Sequence, residues 1–184
     1  VKKCKCGKEY IQYNSMMTKC VECMLVAGKK LTIKKVKAFK DETYERKKAL
    51  KSKHAWTKEA QIEFNRWVKF RDYNEVCISC GSNPNDEGIT NGSRFDAGHY
   101  KSVGASKELR FEPLNCHKQC VKCNNYLSGN MVNYRINLIK KIGQKRVDWL
   151  EGPHEIPHRT IEDIKAIKVK YAKLARELKK ELEL

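Results

Sequence analysis

Eight of the nine cysteines fall into two sets of four: Cys4, Cys6, Cys20 and Cys23 in "CKC" and "CVEC", and Cys77, Cys80, Cys120 and Cys123 in "CISC" and "CVKC". Short thiolate pairs brought together by a turn supply the four ligands of a tetrahedral Zn²⁺ at little entropic cost. The second set is the stronger signal, because a zinc joining its two pairs must clamp the ends of the insert between them. A redox reading of that set leaves one Cys-x-x-Cys pair unexplained. The Cys-x-Cys of the first set is tighter than the usual knuckle. It still reads as a second structural zinc, with a flexible redox or adventitious site as the simpler alternative. Cys116 is left over and reads as a small buried residue.

The insert and its closing segment hold the other reactive groups. His99 sits in "RFDAGHY", three residues after Asp96 and directly after Gly98. On its own it is a buried structural histidine, a metal ligand or a base that takes a proton from water. Asn115 and His117 precede the last cysteine pair, and Asn124 follows it at once. Asn124 has helix capping beside the zinc as its plain reading; His117 is either a ligand or a polar residue that braces the site.

Composition narrows the partner. The 184 residues carry 39 Lys and Arg against 22 Asp and Glu, a net charge of +17, which points to a polyanion and first of all to nucleic acid. No apolar run approaches membrane-spanning length, and no charged-then-apolar leader, amphipathic anchor or lipidation signal stands near a terminus. A soluble, cytoplasmic chain with no membrane partner is expected. At 40% apolar and 33% charged residues, the core is small and depends on metal.

The elements that position these groups follow from patterning. Residues 1–28 form a zinc knuckle. Residues 29–75 form a basic helical region, in which Lys34, Lys35, Lys47, Lys48 and Lys51 face few acids. Within it a helix is expected from Thr57 as N-cap, with Ala60, Phe64, Trp67 and Val68 on one face. Residues 76–130 carry the metal insert: a loop rich in Asn, Gly and Pro, a strand over "SRFDAGHYKS", a second strand or loop over "VGASKELRFEPLN", and a helix entered near the last cysteine pair. Residues 131–184 are helical. "MVNYRINLIKKIG" places Val132, Ile136, Ile139 and Ile142 on one side and stops at Gly143. The last helix starts at Thr160 with a variant capping box, and Ile164, Ile167, Tyr171, Leu174 and Leu178 step along it by three and four. That seam packs either on the same chain or on a second copy as a homodimer.

The order Cys77-x-x-Cys80, His99, Asn115, Cys120-x-x-Cys123, Asn124 resembles the HNH, or ββα-metal, nucleases in their zinc-clamped form. Over a longer span, "FDAGHY", "LRFEPLNCHKQCVKCNNYLSGN", "YRINLIKKIG" and "IEDIKAIK" resemble the NinG family of lambdoid phages, also called Rap, whose members are recombination endonucleases for branched DNA. The resemblance implies an α+β fold: a zinc-clamped ββα-metal core with flanking helices and an N-terminal zinc knuckle. It implies His99 as general base, Asn115 as the residue that positions it, and Asn124 as a ligand of a catalytic Mg²⁺ or Mn²⁺. The products of such a site are a 5′-phosphate and a 3′-hydroxyl. Many HNH enzymes place a metal ligand directly before the base, where this chain has Gly98. Asp96 is then the expected carboxylate ligand, reached through a bulge at Gly98, with His117 as a second candidate.

The function expected is a metal-dependent endonuclease that cuts Holliday junctions and D-loops. Lys101, Lys107, Arg110, Lys118 and Lys122 join the basic helix in contacting phosphates, which confers affinity without sequence reading. Two other readings use the same residues: a non-catalytic zinc-dependent DNA-binding scaffold, and an HNH enzyme acting on linear duplex.

Overall fold

The computed structural model describes residues 1–83 and 95–183, which form a mixed α+β chain with two small sheets. It divides into two compact units, Val1–Lys51 and Ser52–Leu184. The break falls inside the basic helical stretch drawn from the sequence over 29–75. The Asn, Gly and Pro loop expected after Cys80 lies from residue 84 onward outside the described residues, as does Arg94.

In the first unit, strands β1 (Lys2–Lys3) and β2 (Glu9–Tyr10) pair antiparallel around the first cysteine pair. Helix α1 (Val21–Ala49) begins at Cys20, so the second pair straddles a helix start. None of its residues is buried. The basic run forms a solvated helix, with Lys34, Lys35, Lys47 and Lys48 exposed and Lys51 partly so.

The second unit opens with α2 (Lys53–Arg71), five residues earlier than a Thr57 cap would start it. Ser52 is the N-cap, its Oγ accepting from Ala55 N at 3.2 Å, while Thr57 bonds back to Lys53 O inside the helix. The earlier start brings Trp56 onto the stripe Trp56, Ala60, Phe64, Val68, spaced by four and buried throughout. This stripe packs against α5 (Ile161–Glu181) through Ile164 and Tyr171, and against the sheet through Ala97 and Cys116. Thr160 and Asp163 complete the capping box at the start of α5. The seam of α5 is therefore occupied within the chain: Ile164 and Tyr171 are buried on α2, with Ile167 and Leu174 packed beside them.

Strands β3 (Phe95–His99) and β4 (Cys116–Cys120) form the second sheet, antiparallel and paired residue for residue from Phe95↔Cys120 to His99↔Cys116. Of the two readings of "VGASKELRFEPLN", the loop holds: it runs as turns ending in a 3-10 helix (Pro113–Asn115), and the return strand is "CHKQC". There is no bulge. Gly98 meets a different need: a Cβ there would lie 2.1 Å from Gln119 Oε1. Gln119 is buried and donates to Ser79 Oγ at 2.7 Å and to Gly129 O at 2.5 Å.

Beyond β4, a π-helical turn (Lys122–Tyr126) leads to α3 (Met131–Ile142) and α4 (Gln144–Glu151), which close a second core. There Tyr134, Leu138, Val147 and Leu150 surround Ile78, Tyr100 and Leu109. The buried face of α3 is rotated from the one expected: Ile139 and Ile142 pack against the core, but Val132 and Ile136 are exposed. Val132 is 74% exposed, whereas Tyr134 is buried and donates to Gly98 O at 2.9 Å, setting the helix's rotation.

A buried ion pair fastens α2 to β4. Arg71 grips both oxygens of Asp72 at 2.7 Å and donates to Pro113 O and Cys116 O, and Asp72 accepts from Lys118 N at 3.0 Å. Burial opposes ionisation of Asp72, but the hydrogen bonds and charge of Arg71, with His117 beside it, outweigh it and hold the carboxyl well below its usual range. Asp72→Ala leaves Arg71 as an uncompensated buried charge and is expected to cost about 3–5 kcal/mol. A urea melt checks this as a lower midpoint with an unchanged slope.

Candidate active site and zinc clamps

Each cysteine set converges. The four Sγ atoms of Cys4, Cys6, Cys20 and Cys23 lie within 4.8 Å of one another, as do those of Cys77, Cys80, Cys120 and Cys123. Zn–S bonds of about 2.3 Å in a tetrahedron separate sulfurs by about 3.8 Å. Cys6 and Cys20 are 3.6 Å apart, and Cys80 and Cys120 are 3.7 Å apart. Both sets can hold zinc. Gly7 and Gly81 follow a cysteine in each knuckle with positive φ, where their N–H groups turn back to Cys4 O and Cys77 O.

Donors face the sulfurs of the second clamp: Cys120 N to Cys77 Sγ at 3.3 Å, Cys123 N to Cys120 Sγ at 3.4 Å, and Asn130 Nδ2 to Cys123 Sγ at 3.5 Å. Such contacts favour thiolates and orient them for metal. The first clamp shows the electrostatic need for a cation. Backbone N–H groups of Cys6 and Cys20 lower Cys4 to about 6, while hydrogen bonding with Cys6, Cys20 and Cys4 pushes Cys23 up to about 12. A divalent ion at the centre lets all four ionise.

The second clamp positions the groups of the insert. Asp96 on β3 and Asn124 in the turn after Cys123 meet at 3.3 Å, Oδ2 to Nδ2. They line an open cavity of about 440 Å³ with Ile62, Asn65, Arg66 and Lys69 of α2 and Ala97 of β3. One carboxylate and one amide suit a hard divalent ion that keeps several waters and takes phosphate oxygens as further ligands. With its amide turned, Asn124 would present an oxygen beside that of Asp96, two hard donors of the kind Mg²⁺ and Mn²⁺ take.

His99 does not line that cavity. It is half-buried, its ring 6.0 Å from that of Phe64, and it shares a strand face with Ala97, which does line it. Its Nε2 is 3.1 Å from Arg110 O and its Nδ1 is 3.6 Å from Cys116 Sγ. The carbonyl can only accept, so Nε2 carries the proton and Nδ1 the lone pair. Burial, with a contribution from the Arg110 charge, pulls the His99 pKa below its ordinary value, against the pull of the Arg110 and Ala97 carbonyls. Burial pushes the Cys116 thiol up, so it stays neutral beside the ring.

Asn115 is fully buried and ties down the segment that leaves His99. Its Oδ1 accepts from Lys101 N at 2.7 Å, and its Nδ2 donates to Lys101 O and Leu109 O.

Two expected residues go elsewhere. His117 has both ring nitrogens engaged, Nε2 with Leu114 O at 3.1 Å and Nδ1 with Arg71 at 3.2 Å, so it braces the Arg71–Asp72 pair and is no ligand of the Asp96 cavity. Lys118 is buried, its ammonium donating to Tyr73 O at 2.6 Å and lying over the Phe95 ring, which removes it from the phosphate-contacting set. Lys122 is exposed, and Lys101 and Arg110 are partly so. The α2 residues Asn65, Arg66 and Lys69 had not been expected at the site. They stand outside the cysteine insert, and helical spacing marks them as a polar face with nothing to say what it meets.

Among the described residues no helix is long and apolar enough to cross a membrane. No solved structure matches the chain. The family model described as Bacteriophage Lambda NinG protein matches residues 1–181. Protein ninG of Escherichia phage 933W is 43% identical over 140 residues, covering 76% of this chain and 66% of the relative. The lambda relative, also named Protein ninG, is 44% identical over 134 residues, covering 73% and 62%. That of Salmonella phage P22 is 42% identical over 134 residues, covering 73% and 63%. The chain thus spans just under two thirds of the length of these relatives. With a family match over nearly its whole length and close relatives in several phages, the chain belongs to the NinG family of bacteriophage proteins.

Proposed function

We propose that the protein is a metal-dependent endonuclease of the HNH type that cuts branched DNA such as Holliday junctions and D-loops. The observation that carries this reading is the meeting of Asp96 and Asn124 in an open cavity beside the zinc clamp, on the strand that holds His99. Asp96 and Asn124 would hold a Mg²⁺ or Mn²⁺ ion, which when bound would supply Lewis-acid stabilisation of the phosphate and the leaving oxygen. His99 accepts the proton of the attacking water at Nδ1, while Nε2–H donates to the Arg110 carbonyl and keeps the ring oriented. The neighbour of Nδ1 is the buried Cys116 thiol, a weak donor that leaves the lone pair essentially unprotonated. Asn115 holds the segment after His99 and so positions the base.

Affinity comes from lysines that touch phosphates: Lys34, Lys35, Lys47, Lys48 and Lys51 in the first unit, and Lys101, Arg110 and Lys122 in the second. Contacts of that kind read backbone shape and not sequence, which suits a branched substrate. Incubating synthetic four-way junction and linear duplex with Mg²⁺ or Mn²⁺ tests the proposal, and junction nicking in excess of duplex nicking is expected. Cutting of linear duplex at preferred sites would instead favour a sequence-specific HNH enzyme. Binding with intact DNA under every metal would leave a DNA-binding scaffold.

A further inference from the structure

Lys69 is a cavity cation that the proposed chemistry does not use, and it pairs with the proposed ligand Asp96. It lies one helical turn after Asn65 on α2, and its Nζ is 3.6 Å from Asp96 Oδ1. Both side chains are about a third exposed, 37% and 32%. Ion pairs that wet contribute little to stability, so holding the fold together is a poor account of this one.

The position of Lys69 matters more than its energy. Asp96 faces Asn124 with its other oxygen, so the ammonium stands beside the carboxylate that would bind a divalent ion. An ammonium and a divalent cation on one carboxylate repel each other across a few ångströms, and in a partly screened site that repulsion is large enough to displace the more mobile of the two. Lysine is suited to moving, since its charge rides on a flexible four-carbon stem. The cavity is open; the neighbouring Arg66 pairs with Glu63 at 2.8 Å, while Lys69 pairs with the carboxylate the metal would share.

Resting on the assignment of Asp96 and Asn124 as metal ligands, we propose that Lys69 is a counter-ion exchange residue. It neutralises Asp96 while the divalent site is vacant of metal, and turns to a phosphate oxygen of DNA once metal holds the carboxylate. The α2 helix would thereby supply part of the phosphate site from outside the ββα-like insert.

The test measures Mn²⁺ binding by electron paramagnetic resonance on the full, zinc-loaded chain without DNA. Lys69→Met is expected to bind Mn²⁺ about tenfold more tightly than wild type, Lys69→Arg to bind as wild type does, and Asp96→Asn to lose binding. Equal affinity of wild type and Lys69→Met, with Asp96→Asn still defective, overturns the exchange while the metal assignment stands. Binding that is indifferent to Asp96→Asn, or absent from both wild type and Lys69→Met, overturns the assignment and the exchange with it. For the phosphate half, junction affinity is measured against salt in Ca²⁺. Loss of one phosphate contact lowers the log–log slope by about one in Lys69→Met, and an unchanged slope rejects that half.

Discussion

His99→Ala is expected to lower the rate of junction nicking by about 10²–10⁴-fold, the range a positioned general base contributes. Junction affinity and Mn²⁺ affinity should be retained, because the imidazole touches neither Asp96 nor Asn124 and its nitrogens face Arg110 O and Cys116 Sγ. The pH profile is a second readout. A base works in its neutral form, and burial depresses the His99 pKa, so the neutral imidazole persists at pH values where an exposed histidine is already protonated. The acid limb of the nicking rate should therefore fall below the ordinary histidine value of about 6.5. Equal nicking by His99→Ala and wild type would sink the role given to this residue. Nicking abolished together with DNA binding would point to a folding defect, which circular dichroism detects.

Withdrawing zinc is expected to have the largest effect on the fold. Structural zinc contributes apparent free energies of roughly 10–16 kcal/mol, as large as the whole stability of about 5–15 kcal/mol that a domain possesses. In the second unit the clamp ties Cys77 and Cys80, which follow α2, to Cys120 at the end of β4 and Cys123 in the next turn. Around it lies a small cluster in which, among the described residues, Phe95 is the one non-cysteine member. The sheet has only two strands, and although Ala97 and Cys116 pack on α2, this end of it is held by the clamp. A strong chelator, or Cys77→Ala, should abolish cooperative unfolding of residues 52–184 and with it the Asp96–Asn124 cavity. Elemental analysis should find two zinc ions per chain. A chain that keeps its thermal transition after all zinc is stripped would show that the clamps are dispensable.

How far these features were legible in the sequence depended on the range of the interactions behind them. The cysteine sets, the capping box at Thr160 and the stop at Gly143 are local: each needs a few neighbouring residues in a fixed order, and each stands where expected. The start of α2 was misplaced because Ser52 and Thr57 are both good caps, and burial of Trp56 against a helix a hundred residues away decided between them. The face of α3 was misjudged for a similar reason. Periodicity offers Val132 and Ile136 as readily as Tyr134 and Leu138, and the hydrogen bond from Tyr134 to Gly98 O selects the second pair.

The sequence by itself determined the two Cys₄ ligand sets, the strongly basic surface and the family, because ligand type, charge and motif spacing need no tertiary partner. Only the tertiary structure decided the fates of individual polar groups. His117 and Lys118 differ little in the sequence from plausible site residues, yet both are buried with their nitrogens spoken for by Arg71, Leu114 and Tyr73. Lys69 looked like one lysine among many, yet its ammonium stands beside Asp96. A buried polar atom must find a partner, and which partner it finds is set by the packing of elements far apart in the chain.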